Sequence, residues 1–173
     1  MNWTGRMNFL TVTLTDGGKV DIPPGSVVFI EDLNKAEQGK WEHCKTGLFY
    51  NLGDGSTRVL MVREESEAVA KSVLPASGGT WIKLDRPNGA VVRCPSTCVL
   101  AMTEHAAAKD GEAKCTVQLR IGERIHPYAV TQTRDEIHAL INPPKVEKPS
   151  KPTKAKNAKS RKSKATKKEP ANG

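Results

Sequence analysis

Aromatic residues are scarce in this sequence and make up only 5% of its 173 residues. Hydrophobic residues of all kinds reach 37%, so the chain can bury a core, although a small one. No apolar run approaches the roughly 18 residues that a membrane-spanning helix needs. The N-terminal MNWTGRMNFL has no apolar stretch long enough for a secretory signal. These absences predict a soluble, cytoplasmic protein without a membrane span.

Recognisable catalytic motifs are also missing. The phosphate-binding patterns GxGxxG and GKS do not occur. Of the four histidines, His126 falls among the apolar residues of a predicted strand, and His138 falls on the polar side of a predicted helix beside Glu136. The acidic REESE of residues 63–67 suits a helix N-terminus, where negative charge is favourable. No base, nucleophile and stabilising group come together, so we predict a non-enzymatic protein without a cofactor.

The sequence has only four cysteines, Cys44, Cys94, Cys98 and Cys115. This number fits a reducing compartment, where cysteines behave as small hydrophobic residues. Cys94 and Cys98 form one CxxxC pair, whereas a structural zinc site usually takes two closely spaced pairs of ligands. We therefore predict buried cysteines and no metal site.

One pattern occurs twice. WIKLDRPNGAVVRCP (81–95) and TVTLTDGGKVDIPP (11–24) each show alternating apolar residues, a turn with Asn-Gly or Asp-Gly, and a second alternating run. These dipeptides between alternating segments are strong signals for β-hairpins with type I′ turns. Each copy is therefore predicted to open with a β-hairpin.

The segments that follow also correspond. Residues 47–62 and 115–130 each predict a strand, a turn with glycine and a strand, and helical patterns follow at 63–74 and 131–141. Thr131 or Thr133 is a candidate N-cap for the second helix, and Ser66 for the first. The polar segments 34–46 and 105–115, which separate the strands of each copy, predict exposed turns.

The predicted fold class is α+β and mostly β, with two tandem units of about four antiparallel strands and a C-terminal helix each. The first unit spans 7–75, the second spans 80–142, and a disordered basic tail follows at 143–173. A unit of roughly 65 residues is near the lower limit for independent folding. We therefore expect the two units to bury their helical faces together, and a ligand pocket between them remains an open alternative.

The second copy resembles the small FlbD/SwrD-like proteins associated with bacterial flagellar and swarming motility. The shared features are an opening strand with IKL, a turn with NG, a strand turn with GE and a final T…DEI…LI helix, and the likeness covers 80–142 evenly and 8–74 loosely. The first copy's VVFIEDLN…GDGSTRVLMVREESEAVAKSVL is also similar to LytTR-type DNA-binding domains. These resemblances imply small β-rich units, with DNA binding in the LytTR case, and they supply no catalytic residues to carry over to this chain.

The excess positive charge lies in the tail. Residues 145–173 contain ten lysines, one arginine and two glutamates, a net charge of +9, and the whole chain carries +8, which leaves residues 1–144 near neutrality. Lysines spaced by Pro, Ser, Thr and Ala resemble histone-like tails and predict a disordered segment that binds nucleic acid or another polyanion without reading sequence. The alternative is a tail that only makes the protein more soluble. The predicted nucleic-acid-binding residues are Lys145, Lys148, Lys151, Lys154, Lys156, Lys159, Arg161, Lys162, Lys164, Lys167 and Lys168.

Three functions fit these patterns. The first is a binding or adaptor protein whose duplicated body contacts a macromolecular partner while its tail holds a polyanion. The second is a structural or assembly protein, linked to motility, whose open strand edges pair between chains and make homo-oligomers. The third is a sequence-specific DNA-binding regulator of the LytTR kind, for which Arg120, Arg124 and Arg134 are the candidate base-reading residues.

Overall fold

The structure is a computed structural model that describes residues 9–143. Ten strands and three α-helices form these residues, with short 3₁₀ turns at Pro24–Ser26, Leu74–Ala76 and Ser96–Cys98. In chain order the elements are β1 (Leu10–Thr13), β2 (Lys19–Ile22), β3 (Val27–Asp32), α1 (Lys35–Lys40), β4 (Thr46–Asn51), β5 (Thr57–Val62), α2 (Ser66–Val73), β6 (Trp81–Asp85), β7 (Val91–Pro95), β8 (Val99–Glu104), β9 (Cys115–Ile121), β10 (Arg124–Val130) and α3 (Arg134–Ile141). We call residues 10–76 the first half and residues 81–141 the second half.

A five-stranded sheet in the order β5-β4-β3-β7-β6 takes strands from both halves. One hydrophobic core joins one face of this sheet to the hairpin β1-β2 and helix α2. A second core joins the other face to the three-stranded sheet β10-β9-β8 and helix α3. All pairings are antiparallel, which confirms the prediction of a mostly β protein with antiparallel sheets.

Strand alternation assigns neighbouring residues of the shared sheet to different cores. Successive side chains of a strand point to opposite faces, so Phe29 of β3 enters the core with sheet β10-β9-β8 while Ile30 enters the core with α2. On β7, Val92 and Cys94 enter the core with sheet β10-β9-β8, and Arg93 between them lies on the α2 face of the shared sheet. Helices α2 and α3 therefore pack into different cores, and the expectation that they bury their faces together is wrong.

The predicted hairpins form, but their turns are not of type I′. In the first hairpin the N–H of Gly17 donates to the carbonyl of Leu14 (3.0 Å), and in the second the N–H of Gly89 donates to that of Arg86 (2.9 Å). Gly17 and Gly89 have φ of 88° and 80°, whereas the residue before each glycine keeps a negative φ. Pro87 holds φ near −65°, and a type I′ turn needs a positive φ there. Each turn is therefore a type I turn followed by a left-handed glycine.

Several hydrogen bonds recur at matching places in the two halves. The residue after β5 donates its N–H to the carbonyl of Thr13 (2.9 Å), and the residue after β10 donates to that of Asp85 (2.8 Å). The next side chain in each case, Glu64 or Gln132, accepts the N–H of that same partner residue at 2.9 and 3.0 Å. Each half has five strands, one more than predicted, because the middle strand stands between two hairpins.

The predicted cap of α3 is correct and that of α2 is wrong. Thr133 and Glu136 form a capping box, in which each side chain accepts the backbone N–H of the other residue. On α2 the N-cap is Glu65, and Ser66 is already the first helical residue. The hydroxyl of Ser66 instead binds a side chain of the second half, as described below.

The polar segment 34–46, predicted to be an exposed turn, contains helix α1. Asn34 and Glu37 cap its start reciprocally, with backbone-to-side-chain distances of 2.9 and 3.0 Å. This Asn-x-x-Glu pattern is a known helix-start signal that the sequence carries. Within residues 9–143 every helix is too short and too polar to cross a membrane.

Candidate functional site

The two halves meet where β3 pairs with β7. This antiparallel pair places Ile30 opposite Arg93. The N–H of Val91 also donates to the carboxylate of Asp32 at 2.9 Å, which extends the contact to the end of β3. We call this contact, together with the side chains around it, the join. It shows that a strand edge of one half accepts a strand of the other.

On the α2 face of the join, Arg93 connects the second half to the first. Its guanidinium donates to the hydroxyl of Ser66 at 2.7 Å and to the carboxylate of Glu67 at 2.6 Å. Arg93 is 8% exposed, so these bonds satisfy a buried cation. Helix α2 packs against β3, the neighbour of β7 in the sheet, and this is why a residue of β7 reaches it.

On the opposite face, aromatic residues of both halves pack together. The ring centroid of Phe29 lies 5.1 Å from that of Phe49 and 5.5 Å from that of Tyr128. The hydroxyl of Tyr128 donates to the carboxylate of Glu31 at 2.7 Å. The guanidinium of Arg86 lies 5.7 Å from the centre of the Tyr128 ring. The chain therefore places much of its small aromatic content at the join.

Burial shifts the protonation of this pair. Desolvation raises the pKa of Glu31 above its ordinary value, and the hydrogen bond from Tyr128 offsets part of that rise. The pKa of Tyr128 is raised in turn by burial and by the neighbouring carboxylate of Glu31. The tyrosine therefore remains a hydrogen-bond donor throughout the neutral range, and the pair acts as a fixed contact rather than as an acid and base.

Several strands of residues 9–143 lie at the edge of a sheet, and β2 and β8 are two of them. β2 is hydrogen-bonded only to β1, and β8 only to β9. An open edge presents unpaired backbone N–H and C=O groups that can pair with another strand. β8 also exposes Leu100 (41%) and Ala101 to solvent, whereas β3 at the matching place in the first half is mostly buried. These two edges are the candidate binding surfaces of the body.

A cleft of about 560 Å³ lies between the β4–β5 turn and the β9–β10 hairpin. Arg58 and Arg124 line it together with Asp54 and Glu123, so positive and negative side chains face the same space. This balance does not select an anionic or a cationic ligand. A pocket between the two units was the alternative kept in the sequence analysis, and this cleft lies between the two halves. Its lining does not indicate a particular ligand.

The three candidate base-reading arginines lie in two places. Arg120 and Arg124 lie near the turn between β9 and β10, and both are exposed. Arg134 begins α3, beyond the far end of β10. A seven-residue strand spans roughly 20 Å, so Arg134 is separated from the other two by about that distance.

The cysteines and histidines singled out in the sequence lie in separate parts of the fold within residues 9–143. Cys44, Cys94 and Cys115 are buried, and burial raises the pKa of each thiol. Within residues 9–143 no three His, Cys, Asp or Glu side chains come together in a way that could hold a metal ion. His126 lies on strand β10 and His138 on helix α3, as their sequence contexts predicted.

The predicted nucleic-acid-binding residues, Lys145 to Lys168, all lie outside the described residues. Their role stays a prediction from sequence. None of the protein-family models, curated proteins or solved structures compared with the chain matches it. The resemblances to FlbD/SwrD-like and LytTR-type proteins therefore also stay predictions.

Proposed function

We propose that this chain is a non-enzymatic binding or adaptor protein. Its β-rich body contacts a macromolecular partner through an open strand edge, and its basic tail binds nucleic acid or another polyanion without reading sequence. The observation that carries the proposal is the free edge of β8, a strand whose Leu100 and Ala101 are exposed to solvent. Pairing at such edges is a common mode of recognition.

The two halves are, in this proposal, copies of one unit, with the second copy like the FlbD/SwrD-like proteins. The recurring element order supports this, as do the matching hydrogen bonds at the ends of β1 and β6. A copy near 65 residues is marginal alone. Sharing one sheet and both cores stabilises each copy with the other.

The charge distribution supports the division of labour between body and tail. The body is close to neutral, and the tail carries +9. A tail that neutralises about five to eight phosphates gives a salt slope of roughly −5 to −7, so raising the salt from about 50 to 200 mM costs on the order of 10³–10⁴ in affinity.

The test is a DNA titration at two salt concentrations with the full chain, with residues 1–142, and with a full-length variant whose eleven basic tail residues are changed to glutamine. The full chain is expected to bind with that steep slope, and the other two are expected to lose binding. Undiminished binding by residues 1–142 would instead place the DNA contact on the body. Binding by the glutamine variant but not by the truncated chain would attribute it to the length of the tail rather than to its charge.

The open edges also favour a second candidate, a self-associating structural or assembly protein. In that case the partner of the body is another copy of the same chain, and the tail only touches the surface on which the assembly forms. The two candidates predict different masses in solution. A self-associating protein forms larger species as the concentration of this chain alone is raised, whereas an adaptor needs its partner.

A further inference from the structure

We propose that β2 of one copy docks on the open edge of β8 of a second copy, in the way that β7 docks on β3 within the chain. The inference rests on the proposed equivalence of the two halves, and it identifies the partner of the β8 edge as the same protein.

The two edges correspond to the two strands of the join. β3 and β8 both follow a 3₁₀ turn, and both carry a register irregularity near their start, between Val27 and Phe29 and between Val99 and Ala101. β2 and β7 are both the second strand of a hairpin. Since β3 receives β7, the matching edge that remains free is β8, and the matching strand that remains free is β2.

Charge is complementary at the position of the buried arginine. Counting from the hairpin turns, Asp21 of β2 stands where Arg93 stands on β7, and Arg134 of α3 stands where Ser66 stands on α2. An Asp21 docked on β8 would thus meet the guanidinium of Arg134 and the positive end of α3. The residue of α3 that corresponds to Glu67 is Asp135, whose carboxylate would repel that of Asp21. The favourable contact of Asp21 is therefore with Arg134.

A second pair is complementary at the end of the strand. In the join, the N–H of Val91 donates to the carboxylate of Asp32. Lys19 and Glu104 occupy the corresponding places on β2 and β8. Glu104 could accept the N–H of Lys19 in the same way and would also lie near its ammonium group. Both charge pairs therefore have the signs that an intermolecular contact needs.

The intermolecular contact is weaker than the join because its apolar part is smaller. Phe29, buried in the join, corresponds to the exposed Ala101 on β8, and the partner of Phe29 in the first half, Phe49, corresponds to Gln118. The contact is reversible and depends on concentration. Since each copy has one β2 and one β8, two copies can exchange the contact reciprocally in a closed dimer, or the contact can continue head-to-tail into rings or open chains.

The experiment is sedimentation velocity of the full chain from about 10 to 500 µM at 0.15 M salt, where the long-range repulsion between tails is screened. The average mass is expected to rise with concentration. Arg134→Asp and Asp21→Arg should each raise the apparent dissociation constant about tenfold or more, because each places like charges opposite one another. The double variant restores opposite charges and should return to within about threefold of the parent.

Lys71→Asp is the matched control. Lys71 is exposed on α2 and belongs to none of β2, β8 and α3, and the substitution makes the same charge change as Arg134→Asp. It should leave the association unchanged. Circular dichroism of each variant establishes that it is folded.

Three results would overturn the proposal. They are a full chain that keeps the mass of one copy over the whole range, an Arg134→Asp variant that behaves like Lys71→Asp, and a double variant that is not restored. The DNA titration of the same variants separates this inference from the proposed function. A full chain that binds DNA but does not self-associate refutes only the docking of β2 on β8.

Discussion

Replacing Tyr128 with phenylalanine tests how firmly the two halves are joined. The substitution keeps the ring that packs on Phe29 and removes only the hydroxyl that donates to Glu31 at 2.7 Å. Glu31 is half-buried, so its carboxylate would lose a hydrogen bond where water reaches it only partly. A hydrogen bond to a charged group contributes about 1.5–3 kcal/mol. Because Glu31 retains some contact with water, we expect a loss in the free energy of unfolding of about 1.5–2 kcal/mol.

A double-mutant cycle with Glu31→Gln isolates this contact. A glutamine carbonyl at position 31 can still accept the Tyr128 hydroxyl, but the bond is then between neutral groups and is worth about 1 kcal/mol. Tyr128→Phe should therefore cost about 0.5–1 kcal/mol less in the Glu31→Gln background. Urea unfolding at pH 7 measures all four proteins, and thermal unfolding should show Tyr128→Phe lowering Tm by about 4–8 °C.

The pH dependence gives an independent check. The folded pKa of Glu31 is raised above 4.5, so the folded state favours the protonated form. The stability gained from that protonation is fully present below the unfolded pKa and is lost as the pH rises through the folded pKa. Glu31→Gln stays neutral at every pH, so it should be more stable than the parent at pH 7, and this advantage should shrink as the pH falls toward 4.

Two results would refute this reasoning. Equal costs of Tyr128→Phe in both backgrounds would mean that the hydroxyl does not act through Glu31. A Glu31→Gln advantage that is the same at pH 4 and pH 7 would mean that the carboxylate is not ionised within a buried contact.

Two further predictions concern other contacts between the halves. Gly122 has φ of 61°, and a Cβ there would lie 2.5 Å from the hydroxyl oxygen of Thr57. Gly122→Ala should therefore lower the free energy of unfolding by about 2–3 kcal/mol. Gly55 has φ of 87° but open space around it, so Gly55→Ala should cost about 1 kcal/mol. Similar losses for the two glycines in urea unfolding would argue against a tight contact with Thr57. Arg93→Met should cost about 1.5–3 kcal/mol because it leaves a buried serine hydroxyl without a partner, whereas Glu67→Gln, on a side chain 62% exposed, should cost under about 1 kcal/mol. Equal effects of these two substitutions would contradict the geometry at Arg93.

Local patterns of the sequence were enough to predict most elements. The hairpins around Gly17 and Gly89, the strands of 47–62 and 115–130, and the cap at Thr133 depend on neighbouring residues, and the structure has them. The predicted turn type is wrong in the second hairpin because Asn-Gly favours a type I′ turn, but the fixed φ of Pro87 excludes it. Helix α1 was missed because its polar residues show no apolar face, although its capping pattern was legible.

The pairing of the two halves at the join could not be predicted from the sequence. Pairing of β3 with β7 connects residues far apart in the chain, and the alternation of each strand is equally compatible with a partner in its own half. The cues were the residues that differ between matching places. Phe29 corresponds to Ala101, and Arg93 corresponds to Asp21. These differences can be interpreted only once the strands at the sheet edges are known.

The shared sheet is completed by β7 and β6 of the second half. During synthesis the edge of β3 is therefore exposed until β7 has been made. Asp32 leaves the ribosome about 60 residues before Val91, which at roughly 5–20 residues per second corresponds to about 3–12 s. During that interval the edge of β3 has no partner strand, and the ring of Phe29 lacks Tyr128 and the core residues of the second half. On a crowded polysome, where neighbouring nascent chains are at the same stage, a β7 strand from another chain could take this place, and exchanged dimers would be the characteristic misfolded product.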